Sequence, residues 1–210
     1  MGILNLTRKI IPNIGPDKIK NIEAIHNLPE MVLTNMLNKG NQNILHVDMN
    51  QCAAAIIKQS GVSTVFTDSL GGCNAVGLIA KTTTGEPLAI LSHYVPTATS
   101  NQVVALSKQL ETYSPYLDKT YKPKLFFNTR AIKTAEGELV SPPNLIYEKV
   151  KALISKFFPQ GVETYSELYP TNSRGAFYSS ANIFQFDPEN LNKLKITFVG
   201  EKEKFLDLKI

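Results

Sequence analysis

Two β-prone apolar runs, NAVGLIAKTT and PLAILSHYV, meet at the turn signal TGEP between Asn74 and Val95. Runs of this kind joined by a short turn pair antiparallel. That pairing constrains the rest of the chain, because the start of the first strand must lie beside the end of the second. Cys73 stands immediately before the first run, and His93 stands twenty residues on, near the end of the second. The hairpin therefore predicts that these two residues are neighbours.

The surrounding segments predict an α+β fold. ILHVDM and VSTVFT read as short strands before the hairpin, and AAAIIKQS between them suits strand or helix equally, since period alone does not assign so short an apolar run. TSNQVVALSKQLETY reads as a helix with Thr99 or Ser100 as N-cap and Val103, Leu106, Leu110 and Tyr113 on one face. KPKLFFNTRAI is a strand. PPNLIYEKVKALISKFF is an amphipathic helix that turns Ile146, Val150, Leu153, Ile154 and Phe157 inward and ends before Pro159. VETYSELY, GAFYSSANIFQFD and LKITFVG complete a sheet, and the sign-alternating tail EKEKFLDLKI reads as a solvated strand or terminus. Strands and helices mix without βαβ alternation, so the expectation is a mostly antiparallel sheet or sandwich flanked by helices. Residues 1–42, with Ile19, Ile22, Ile25 and Leu28 at helical spacing and a second helix stopping at Gly40, read as an N-terminal helical extension on a domain of residues 43–210.

Composition narrows the function classes. A net charge of +4 carried by scattered lysines lacks the clustered basic face that binds phosphate backbones, so nucleic acid is not the expected partner. No run approaches the roughly 18 apolar residues that span a bilayer, and no signal peptide is evident, so no membrane partner is expected. The two cysteines lack metal-ligand spacing and are too few for a disulfide framework, which points to a reducing compartment, with a single bridge between them as the alternative.

A thiol attacks as thiolate, and a neighbouring imidazole is the usual means of generating one near neutral pH. Of the three histidines, His93 has the placement to serve Cys73. Gly71 and Gly72 allow a sharp turn and a close approach, so that the amides of Gly72 and Cys73 can face an oxyanion. A free cysteine is most often a small buried hydrophobe, and spacing alone favours that reading for Cys73. Cys52, in NQCAAAII, reads as core. His46 sits between Leu45 and Val47, where it could face either cysteine or be a satisfied structural residue, and His26 lies on the polar side of its helix. Alternation turns Asp68 away from Thr67, and Ser92 away from the face of His93.

At these residues the sequence resembles the chemoreceptor glutamine deamidases of the CheD family and the deamidating toxins of the cytotoxic necrotizing factor type. Thr67 precedes Cys73 by six, the turn is Leu70-Gly71-Gly72-Cys73, and the histidine segment is His93-Tyr94-Val95-Pro96. The order of later elements is similar too, including an Asn-x-Arg-like segment at Asn172 to Arg174 and a closing hairpin in FQFDPENLNKLKITFVG. The resemblance covers about residues 43 to 200. Departures are Gly72 for a serine, Asn74 for an aliphatic residue, a longer interval to His93, and LFFNTRAI in place of a glycine-rich strand.

The resemblance implies a CheD-like domain in which a Cys73–His93 dyad hydrolyses a protein glutamine to glutamate and ammonia without a cofactor. Thr67 would orient His93 through its hydroxyl or carbonyl, and the amides of Gly72 and Cys73 would hold the oxyanion. The implied partner is a protein presenting an exposed glutamine. The extra N-terminal helices and the altered strand favour an effector or toxin over a chemotaxis enzyme, acting in the cytoplasm or delivered into a host cytosol. The alternatives are a chemoreceptor deamidase, transglutamination with an amine in place of water, and a silent binding module on the same fold. A peptidase would need a groove for extended peptide, and the sequence shows no sign of one.

Overall fold

The computed structural model describes residues 44–67, 70, 72–95, 100–133, 135–136, 139–140, 145–170, 181–187, 189–199 and 204–210. The expected extension over residues 1–42 with His26 lies outside the described residues, as do Asp68, Gly71, Pro96, Thr99 and the segment Asn172 to Arg174.

Among the described residues the strands are β1 (Ile44–His46), β2 (Cys52–Ile56), β3 (Thr64–Thr67), β4 (Asn74–Lys81), β5 (Pro87–Tyr94), β6 (Lys124–Lys133), β7 (Leu139–Val140), β8 (Glu163–Pro170), β9 (Ala181–Phe186), β10 (Lys193–Val199) and β11 (Lys204–Lys209). The helices are α1 (Ile57–Ser60), α2 (Ser100–Tyr113) and α3 (Leu145–Phe157). One sheet runs β1-β3-β9-β10-β11, and the other runs β2-β5-β4-β6 with β8 on the far side of β6 and β7 pairing its end. β1 with β3 and β6 with β8 are parallel; the remaining pairs are antiparallel. The architecture is sheet-rich α+β.

Alternation along the hairpin shows why the second sheet sits in the middle. On β4 and β5, Val76, Leu78, Ala80, Leu88, Ile90 and Tyr94 pack with Leu106 and Leu110 of α2 and Val150 and Ile154 of α3. The intervening Ile79, Ala89 and Leu91 pack with Val65, Phe184 and Ile196 of the other sheet. Both faces of the middle sheet are covered, so its central strands are apolar along most of their length. Side chains that alternate in a pleated strand thus feed two cores, one against helices and one against a sheet.

Each helix forms where its apolar spacing allows. Leu106, Leu110 and Tyr113 are the buried stripe of α2, and Ile146, Val150 and Ile154 are that of α3, with Leu153 and Phe157 partly buried beside them. Phe158 is fully buried beyond the last turn of α3, where Pro159 withdraws the next donor. AAAIIKQS divides: Cys52–Ile56 is a strand and Ile57–Ser60 a single helical turn. The tail forms β11 at the edge of the outer sheet, with Lys204 opposite Phe198 and Lys209 opposite Lys193. It is half-buried rather than solvated, since Leu206, Leu208 and the buried Ile210 pack into the inter-sheet core while Asp207 and Lys209 face water. No helix among the described residues is long and apolar enough to cross a membrane.

Candidate functional site

β4 and β5 pair along their whole length, which places Ala75 opposite His93. On its other side Ala75 is opposite Asn128 of β6. His93, Ala75 and Asn128 therefore form a row across the middle sheet, facing the outer one. In the outer sheet Thr67 is opposite Asn182. The two rows meet: Thr67 Oγ1 lies 2.9 Å from His93 Nδ1, and Asn128 Nδ2 donates to Asn182 Oδ1 at 2.6 Å. All five residues are essentially inaccessible. The result is a buried polar layer at one end of an otherwise apolar sandwich.

The Thr67 hydroxyl fixes the state of the imidazole. It donates to the Val47 carbonyl oxygen at 2.7 Å, and a hydroxyl has one proton to give. Toward His93 it can act as acceptor, so Nδ1 carries a hydrogen, and in the neutral imidazole the lone pair is on Nε2, the arrangement a general base needs. The backbone of His93 is equally constrained: its N–H donates to Gln51 O at 3.0 Å, and its carbonyl accepts from Asn50 N at 2.9 Å.

Cys73 lies two residues before Ala75 on the same side of the strand, and packs with Ala75, Leu70, Tyr169 and Val95. His93 is opposite Ala75, so sulfur and imidazole belong to diagonal positions of one antiparallel pair, about 7–8 Å apart at the backbone and bridgeable by side chains. The thiol is buried, and burial pushes its pKa upward, so the resting group is a protonated thiol. A thiolate would have to be made during the reaction.

The amides of Gly72 and Cys73 are already engaged. Cys73 N–H donates to Leu70 O at 3.0 Å, and Gly72 N–H reaches both Leu70 O and the Tyr169 hydroxyl, the latter at 3.0 Å. Gly72 holds φ at 117°, which side-chain-bearing residues avoid. To receive an oxyanion, this turn must release both donors.

The remaining candidates separate cleanly. His46 alternates with the inward Leu45 and Val47, stacks on Phe66 with ring centroids 4.5 Å apart, and approaches Asp48 at 3.5 Å, so it faces neither cysteine. Ser92 faces the helices, opposite Cys52 on β2. Cys52 and Cys73 are both free. Asn128, Asn182 and Tyr169 escaped the sequence reading. The available signal was an asparagine within the apolar strands LFFNTRAI and ANIFQF, two residues from the core residues Phe126 and Phe184 respectively.

Burial pushes the Cys52 thiol from 9.0 up to about 11, which gives an alkaline prediction. Below pH 9 both folded and unfolded states keep the proton, so the contribution is complete; above it the unfolded chain ionises first, and the contribution is gone near pH 11. Allowing for its partial exposure, the loss should be about 1–2 kcal/mol in urea unfolding, and Cys52→Ala should show a smaller decline over the same interval.

No protein-family model matches the sequence, and no curated protein matches it. Among solved structures the chain is similar to the C-terminal domain of CNFy from Yersinia pseudotuberculosis, with 10% identity and a TM-score of 0.31, over 80% of this chain and 62% of that one. The chain thus spans less than two thirds of that neighbour. Likeness at this level does not assign a fold family.

Proposed function

We propose that the protein is a cysteine-dependent protein glutamine deamidase in which Cys73 is the nucleophile, His93 the general base and acid, and Thr67 the residue that orients His93. The observation that carries this reading is the Val47–Thr67–His93 chain of hydrogen bonds, which leaves Nε2 basic on the strand face that Cys73 shares. The motif resemblance around Thr67, Cys73 and His93 points the same way.

In the proposed reaction Nε2 takes the thiol proton as Sγ bonds to the carboxamide carbon, giving a tetrahedral oxyanion. His93 then passes that proton to the nitrogen, the C–N bond breaks, and ammonia leaves a thioester. Water, deprotonated by His93, attacks the thioester; the C–S bond breaks, glutamate is released, and the proton returns to sulfur. The amides of Gly72 and Cys73 are the proposed oxyanion donors once the turn frees them. No step uses a cofactor. The catalytic unit is residues 43–210, the partner a protein presenting an exposed glutamine, and the setting a cytosol, its own or that of a host.

A second reading, a binding module without activity, is favoured by one observation: the thiol is buried and protonated and both amides are occupied. Peptide mapping of a proteome exposed to wild-type or Cys73→Ser protein separates the two. The deamidase should add about one dalton at a defined glutamine, the product of acyl transfer from thioester to water. A map with no conversion above the Cys73→Ser control would sink the deamidase reading and leave the binding module.

A further inference from the structure

The turn that carries Cys73 is closed on itself and pinned by a phenol from a distant strand. Tyr169, near the end of β8 and 96 residues from Cys73 in sequence, is 2% exposed. Its hydroxyl accepts from Gly72 N–H at 3.0 Å and shares its proton between the carbonyl oxygens of Leu70 and Cys73. The Leu70 carbonyl in turn receives the N–H groups of Gly72 and Cys73. One hydroxyl thus links three backbone groups of a four-residue turn, and it does so as donor and acceptor together, which phenylalanine cannot imitate.

We propose that Tyr169 is a positioning residue that clasps the Cys73 turn shut, and that a carboxamide gains the Gly72 and Cys73 amides by displacing the Tyr169 oxygen and the Leu70 carbonyl from them. This rests on the reading of Cys73 as the nucleophile. The closed turn satisfies its own donors and shields Cys73, which is 8% exposed. A single carbonyl oxygen arriving on the substrate accepts from both amides in place of the two internal acceptors, so opening leaves the two amides satisfied. The clasp therefore keeps the thiol quiet until a group with carbonyl character is present.

The test is iodoacetamide alkylation of the native protein, read separately at Cys73 and Cys52 by mass spectrometry. Tyr169→Phe keeps the ring against Leu70 and Ala75 and removes the clasp. Cys73 should then alkylate up to about tenfold faster, the population change set by losing one net hydrogen bond, while the Cys52 rate is unchanged. An unaltered or slower Cys73 rate, or a parallel rise at Cys52 from general loosening, overturns the proposal. Should Tyr169→Phe fail to fold, amide exchange in the wild-type chain decides. A clasped turn protects Gly72 and Cys73 by at least about a hundredfold over an unstructured peptide, and exchange at the unstructured rate overturns it. His93→Ala in the wild-type background isolates the nucleophile reading: alkylation that ignores His93 defeats that reading whatever Tyr169→Phe does.

Discussion

On the proposed mechanism, His93→Ala is expected to lower the deamidation rate by between about a hundredfold and ten-thousandfold, the range for removing a positioned general acid and base, and to do so in kcat. Thr67→Val should lose less, about tenfold to a hundredfold, because the imidazole remains while its tautomer is no longer dictated. The physical basis is the single proton of the Thr67 hydroxyl, committed to Val47 O at 2.7 Å, which makes the oxygen an acceptor for His93 Nδ1 at 2.9 Å. With valine, Val47 O and Nδ1–H both lose a buried partner, at a cost of about 1–3 kcal/mol in stability. Thr67→Ser restores the hydroxyl and should restore most of the rate. A purely structural threonine would behave otherwise: valine would lower stability and leave kcat untouched in the folded fraction. Measuring kcat, its pH profile and urea unfolding on the same three variants distinguishes the cases, and a Thr67→Val enzyme with wild-type kcat removes Thr67 from the mechanism.

The reach of the sequence follows the range of the interactions involved. The β4–β5 hairpin was legible because a local turn signal and two apolar runs determine it, whereas its register, which sets Ala75 opposite His93 and Cys73 on the diagonal, was not. The stripes of α2 and α3 were legible for the same reason: periodicity is local. Alternation gave the face of each side chain, but not what that face would meet. Thr67 reaches His93 because β3 lies in a different sheet that folds across β5, a relation no spacing encodes and that only the family resemblance implied. Asn128 and Asn182 are 54 residues apart, and Tyr169 reaches Gly72 across 97. Such partners are visible only when both strands have been placed, and the parallel pairing of β6 with β8 that delivers Tyr169 has no turn to announce it. The tail was misjudged as solvated because its charges alternate with apolar residues whose burial depends on β10 being beside it.

Gly77→Ala is expected to destabilise the fold by about 2–3 kcal/mol, and Gly77→Leu by enough to prevent folding, although a strand glycine ordinarily gains from acquiring a side chain. A Cβ at position 77 would stand 2.4 Å from Phe184 Cζ and 2.8 Å from Cε2, well inside contact distance. The far end of a long side chain could swing away, but this ring is 1% exposed and meets Phe126 edge-on at 5.4 Å, so the sheets must part instead. Phe184→Leu should relieve the clash, and a double-mutant cycle with Gly77→Ala should show favourable coupling. Urea unfolding of the four chains measures it; additive effects would mean that the ring yields on its own. The consequence reaches the site, because Gly77 lies two residues from Ala75 on the strand between His93 and Asn128. These two small residues let the sheets approach closely enough for a short Thr67 side chain on one to touch an imidazole on the other at 2.9 Å. Parting the sheets by even half an ångström stretches that contact toward the limit of a hydrogen bond, so on the proposed mechanism the Gly77→Ala chain should lose catalytic rate in its folded fraction as well as stability.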